Sequence, residues 1–172
     1  MVRKKEVVSL EQLYEKYKKP IYTLCVKLAG AGDDAADLYS DTWMRVAEKQ
    51  GQIDHQRNVI NWIYTICLNL YRKSFARPKI IDSYDGSDSF LQIKSENETT
   101  DVAFIKKENA EILKEKLSKL DDKYRVPLIL FYFKELSYND ISEIMKLPLS
   151  TVKFRLNQAK NILRKEMEVY FE

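Results

Sequence analysis

The side chains able to do chemistry are few and poorly grouped. Asp33, Asp34 and Asp37 spell a DDxxD. At helical spacing Asp33 and Asp37 share one face, an arrangement able to hold Mg²⁺ and a pyrophosphate. No second acidic motif accompanies it, and the chain is short for the synthases that use such a pair. His55 is the single histidine, in a polar stretch where it reads as solvated. Cys25 and Cys67 stand apart, with no CxxC and no neighbouring His to stabilise a thiolate. A glycine-rich phosphate loop is also missing. The reading is therefore no enzyme: no catalytic residue, no metal ligand, no cofactor and no small-molecule substrate.

A stronger pattern lies near the C-terminus, in LSYNDISEIMKLPLSTVKFRLNQAKNILRKEM. Ser137-x-x-Asp140 is a capping-box-like start, and Ile141, Ile144 and Met145 form a short apolar stripe. Lys146-Leu147-Pro148 interrupts it. A second helix begins at Ser150-Thr151, with Val152, Leu156, Ala159 and Leu163 inward and Lys153, Arg155, Asn157, Gln158, Lys160 and Arg164 outward. From Lys153 to Lys165 there are five basic residues and no acid. A short helix, a tight turn and a basic helix is the helix-turn-helix arrangement. Arg and Lys can read guanine edges in the major groove, and Asn and Gln can read adenine. A second basic cluster, Arg72, Lys73 and Arg77 beside Asn69 and Tyr71, ends an earlier helical stretch. Those cations also suit a helix C-terminus, so capping explains them as readily as nucleic acid does.

The elements that must position these residues read as helices. The N-terminal block holds about four. Ser9 precedes a stripe of Leu10, Leu13, Tyr14 and Tyr17, and Pro20 starts or kinks a second segment bearing Ile21, Leu24, Cys25 and Leu28. Asp33 or Asp34 caps a third helix reaching about Lys49, with Ala35, Leu38, Thr42 and Val46 inward and Asp37, Asp41, Arg45 and Glu48 outward. The fourth runs from about Asn58 to Arg77, burying Ile63, Ile66, Cys67 and Leu70. The C-terminal block also holds about four. The first spans Val102 to about Leu120, with Ile105, Ile112, Leu113, Leu117 and Leu120 at core spacing, and Asp121 or Asp122 caps the next. VPLILFYF could be a strand by composition, but Pro127 argues against a central one.

Composition and charge support this division. The 172 residues are 45% apolar and 32% charged, with 4 Gly and 4 Pro, which excludes a disordered or collagen-like chain. No apolar run is long enough to span a bilayer, and the N-terminus carries no secretory pattern. With two cysteines that show no disulfide-like density, this points to a reducing cytoplasm. Residues 1–81 carry a net charge of +5, residues 82–102 of −5 and residues 103–172 of +3. Basic blocks suggest a polyanionic partner. The expected fold is all-α: two small helical domains, 1–79 and 102–172, joined by a flexible acidic linker, 80–101, with the helix-turn-helix in the second.

Together these motifs resemble the extracytoplasmic-function (ECF) class, group IV of the sigma-70 family of bacterial RNA polymerase subunits. DAADLYSDTWMRV, residues 34–46, is similar to the family's acidic helix, and NWIYTICLNLYRK, residues 61–73, to its WLYRIARN-like helix. Residues 123–156 resemble its C-terminal helix-turn-helix. The order, the spacing and the acidic stretch between them carry the resemblance over nearly the whole chain.

The resemblance implies residue roles. Asp37, Ser40, Asp41 and Met44 would dock on the clamp helices of core RNA polymerase, where an exposed acidic row meets a basic partner. Leu38 and Trp43 would pack inside. Asn69, Arg72, Lys73 and Arg77 would contact the −10 element, where trapping an unstacked base offsets part of the cost of opening the duplex; Trp62 reads as core. Thr151, Lys153, Phe154, Arg155, Asn157 and Gln158 would contact the −35 element. Ser150, where the family commonly has Gly, Phe154, where it has Ser, and Ser40, where it often has Gln, depart from the pattern. The implied partners are core polymerase, promoter DNA and an anti-sigma factor, often membrane-anchored, holding the protein at the inner face of the membrane. A stand-alone helix-turn-helix transcriptional regulator is the alternative; an effector pocket or a dimer seam in the N-terminal block would favour it.

Overall fold

A computed structural model of the chain describes residues 8–54, 56–75 and 111–168. Among the described residues every regular element is helical and there is no strand. The chain divides into two compact units, one of Met1–Pro78 with Glu143–Lys146 and the other of Lys79–Ser142 with Leu147–Glu172. The expected linker 80–101, the boundaries drawn at 79 and 102, His55, Arg77, Val102 and Ile105 lie outside the described residues. No helix among the described residues is long and apolar enough to cross a membrane.

The first unit is three mutually packed helices, α1 (Leu10–Ala29), α2 (Asp33–Lys49) and α3 (Val59–Ser74), with a 3₁₀ turn at Gln50–Gln52. Ser9 starts α1 with a capping box: its hydroxyl accepts from the Gln12 amide at 3.2 Å, and the Gln12 side chain accepts from the Ser9 amide at 3.0 Å. Gly30, at φ 88°, ends it and donates to the Val26 carbonyl.

The break expected at Pro20 does not occur, so the unit has three helices rather than four; Pro20 lies inside α1. An interior proline costs ~3 kcal/mol. The turns beyond it bury Ile21, Leu24, Cys25 and Leu28, each large aliphatic contributing ~1.5–3 kcal/mol. Burial wins. Asp33 and Asp34 are not caps: the N-cap is Gly32 at φ 110°, and the two carboxylates fill the first turn, where the helix dipole favours them. Ala35, Leu38, Thr42 and Val46 are the buried face of α2, as their spacing requires. On α3 the core takes Leu68 and Tyr71 with Ile63, Ile66 and Cys67, while Leu70 is half-buried.

The second unit begins, among the described residues, with a helical stretch over 111–119, called α4. The chain continues with α5 (Asp122–Leu128), a π-helical turn (Ile129–Phe133), α6 (Tyr138–Met145) and α7 (Leu149–Glu168). Asp121 caps α5 by accepting from the Lys123 amide at 2.9 Å. The apolar VPLILFYF run is thus helical, with Val126, Pro127, Leu128, Ile129 and Leu130 buried. An ion pair of 2.8 Å joins Lys116 on α4 to Glu166 on α7 and holds the Glu166 carboxyl below its usual range. Inward Val152, Leu156 and Ala159 of α7 are buried; Leu163 is half-buried.

Candidate nucleic-acid interface

The helix-turn-helix is built from local chemistry. The Ser137 hydroxyl accepts from the Asp140 amide at 3.1 Å, and the Asp140 carboxylate accepts from the Ser137 amide at 3.2 Å, completing the expected capping box of α6. Ile141, Ile144 and Met145 bury its short stripe. The chain then turns at Lys146, whose φ of 54° lies in the left-handed region. The Ser142 hydroxyl and carbonyl bind the Leu147 carbonyl and amide, at 2.5 and 3.0 Å, and tie the turn down. Helix α7 starts at Leu149, one residue before the expected Ser150.

Burying Val152, Leu156 and Ala159 leaves the opposite side of α7 to solvent. Lys153, Phe154 and Asn157 are exposed, and Thr151, Arg155 and Gln158 are half-buried beside them. The structure therefore brings all six expected −35 residues onto the accessible side of one helix. Phe154, 57% exposed, is the largest apolar group there. Lys153, Lys160 and Arg164, at i, i+7 and i+11, line one flank. The Lys160 ammonium sits 5.7 Å from the Phe131 ring centroid and 5.8 Å from that of Tyr132. This aromatic seat orients Lys160 along the same flank. Its basic face was legible in the sequence; its aromatic seat comes from the π-helical turn and was not.

On α3, Asn69, Arg72 and Lys73 are exposed and share one face at i, i+3 and i+4. Trp62, expected in the core, is half-buried and lies on the same face seven residues before Asn69. The loop leading into α3 is held by Asp54, which accepts from the Gln56 amide at 3.0 Å and faces Arg57 at 3.7 Å. On α2, Asp37, Ser40, Asp41 and Met44 are all exposed at i, i+3, i+4 and i+7. They form a single row opposite the buried stripe, with Met44 63% exposed.

Beside that row runs a chain of aromatic rings. Tyr14 meets Trp43 at 5.1 Å, Trp43 meets Tyr39 at 6.3 Å, and Tyr39 meets Tyr22 at 5.5 Å, all edge-to-face. Trp43 is half-buried rather than internal, and it lines a cavity of about 260 Å³ with Leu10, Glu11, Tyr14 and Glu15. Burial, and then a hydrogen bond with Tyr14, pushes the Tyr39 hydroxyl well above its ordinary pKa. Among the described residues no three His, Cys, Asp or Glu side chains converge as a metal site. The two cysteines, apart in sequence, are brought together: Cys25 Sγ and Cys67 Sγ are 3.7 Å apart in the core of the first unit.

Comparison with known proteins matches each unit separately. Residues 13–79 match the family described as Sigma-70 region 2, and residues 110–163 that described as Sigma-70, region 4. The chain is 29% identical to the ECF RNA polymerase sigma factor SigW of Bacillus subtilis, over 96% of this chain and 92% of that protein. It is 26% identical to SigM of the same organism, over 91% and 94%. Among solved structures, RpoE from Bartonella quintana, in complex with the anti-sigma factor NepR, superposes with a TM-score of 0.68 at 21% identity, covering 92% of this chain and 96% of that one.

Proposed function

We propose, from the premise that the chain belongs to the ECF class of the sigma-70 family, how its two units share the work of a sigma factor that directs core RNA polymerase to promoters. The carrying observation is that the region 2 match covers the helices of one compact unit and the region 4 match falls mainly on the other, with a one-sided polar face on the helices of each match. The α2 row of Asp37, Ser40, Asp41 and Met44 docks on basic helices of core polymerase. Opposite charge sets the approach and register, and Met44 supplies apolar contact. Asn69, Arg72, Lys73 and Arg77 engage the −10 element. The amide suits a base edge, and the cations neutralise phosphates.

Helix α7 enters the major groove of the −35 element. Thr151, Lys153, Arg155, Asn157 and Gln158 supply hydrogen bonds, and Phe154 a surface for a thymine methyl. Two DNA-reading units on one chain gain affinity by linkage, without a dimer of half-sites. The protein itself makes or breaks no covalent bond. It acts in the cytoplasm, and an anti-sigma factor, membrane-anchored where signalling crosses the membrane, covers it between rounds. The presence of NepR on the Bartonella protein supports an anti-sigma partner.

The test is reconstitution of the purified chain with bacterial core RNA polymerase on genomic DNA fragments, with transcript starts mapped. Discrete starts sharing two spaced upstream elements are expected. Asp37→Lys with Asp41→Lys should abolish both the starts and co-elution with polymerase. A folded protein that gives no starts and no polymerase complex, yet binds intact duplex, is instead a stand-alone regulator.

A further inference from the structure

We propose that Cys25 and Cys67 form a dithiol modification site that peroxide-class oxidants close to a disulfide, stapling α1 to α3. The chain holds two cysteines, and the fold brings both to one point. They lie 42 residues apart in sequence, on different helices, and their sulfurs touch at 3.7 Å. Both are fully buried, among Ile21, Leu24 and Leu28 on one side and Ile63, Ile66 and Tyr71 on the other. A disulfide needs the sulfurs about 1.7 Å closer than the 3.7 Å found here, a change that side-chain rotation at both residues can share.

The chemistry balances without a metal. One thiol, as its thiolate, attacks a peroxide oxygen; the O–O bond breaks, water leaves and a sulfenic acid remains. The second sulfur attacks the sulfenic sulfur and expels a second water. Two thiols and one hydrogen peroxide become one disulfide and two waters: sulfur is oxidised by two electrons and peroxide oxygen reduced by two. Burial governs the rate, because a thiolate is disfavoured in an apolar core and the oxidant must enter as the α1–α3 seam opens. The site therefore answers sustained oxidation and ignores brief exposure. In a reducing compartment the thiol form is the resting one, and the bridge is transient. Once closed, it restricts the unfolded chain across the α1–α3 connection and fixes α3, whose far side carries Asn69, Arg72 and Lys73. The proposal stands apart from the promoter-reading assignment.

The experiment treats the folded full-length protein with hydrogen peroxide, blocks remaining thiols with iodoacetamide in denaturant, and maps peptides without reductant. The expected product is a monomer two hydrogens lighter, with the Cys25 and Cys67 peptides joined, both thiols regained in dithiothreitol, and an unfolding midpoint raised by roughly 10 °C over the reduced form. In Cys67→Ala the remaining Cys25 should stop at a dimedone-trappable sulfenic acid. Two alkylated thiols after prolonged peroxide, separate sulfinic acids, or a bridge between two molecules would each overturn the proposal. The wild-type map decides even where the variant fails to fold.

Discussion

At the scale of single residues, the proposed interfaces consist of side chains whose neighbours on the same helix are held in a core. Lys153 is exposed and Arg155 half-buried, one turn from buried Val152 and Leu156. Truncating either side chain would remove its proposed DNA contact without opening a cavity. Lys153→Ala or Arg155→Ala should weaken promoter binding by ~1–3 kcal/mol where the lost contact is to a base edge. A phosphate contact would instead show as a salt dependence shallower by about one. Fluorescence titration at several salt concentrations separates the two, and unchanged affinity at every salt concentration removes the residue from the interface. Tyr64 behaves differently. Burial, and then the neighbouring Cys67, raises its pKa from 10.0 to about 12. The folded state thus favours the neutral phenol. The stability this contributes is fully present below pH 10 and declines as pH rises towards 12. Urea unfolding across that window should show the decline, and Tyr64→Phe should flatten it; an equally steep decline in the variant would assign it to other groups.

At the scale of elements, capping and turn chemistry decide where helices begin, and burial decides whether they continue. The α6 start rests on the Ser137–Asp140 box, so Ser137→Ala should cost ~1 kcal/mol. The α6–α7 turn places Lys146 at φ 54°, a conformation a glycine adopts without strain, so Lys146→Gly should stabilise the protein by ~1 kcal/mol. Thermal unfolding of the two variants should shift in opposite directions, and a shift of the same sign in both would contradict the turn geometry. Ser9 and Asp121 cap as their types predict, whereas Pro20 is carried inside α1 by the apolar side chains beyond it. Propensity is a local preference of about the same size as the burial of one or two side chains. It predicts ends well and interruptions badly when an amphipathic face runs through them.

At the scale of the whole molecule, the chain holds two compact units, and the proposed function gives each its own target. A fragment of residues 1–79 should retain core polymerase binding and lose −35 recognition. Co-elution with polymerase measures the first and footprinting the second; a fragment that is folded but no longer binds polymerase would refute the division. The region 2 and region 4 matches, in that order, fit this partition. It lets each unit place a polar face without pairing two copies of the chain.

By itself the sequence determined the helical class, the two blocks and most of the side chains facing in or out. Period, caps and charge are written in neighbouring residues: the α2 stripe of Ala35, Leu38, Thr42 and Val46 and the one-sided α7 face come from spacing alone. Tertiary structure decided what depends on residues distant in the chain. It set Leu68 and not Leu70 in the core, left Trp43 and Trp62 half-buried, seated Lys160 on Phe131 and Tyr132, and put Cys25 against Cys67. Periodicity gives the direction of a side chain on its own helix. It does not give the angle or depth at which a second helix crosses, and those contacts are fixed only when the helices pack.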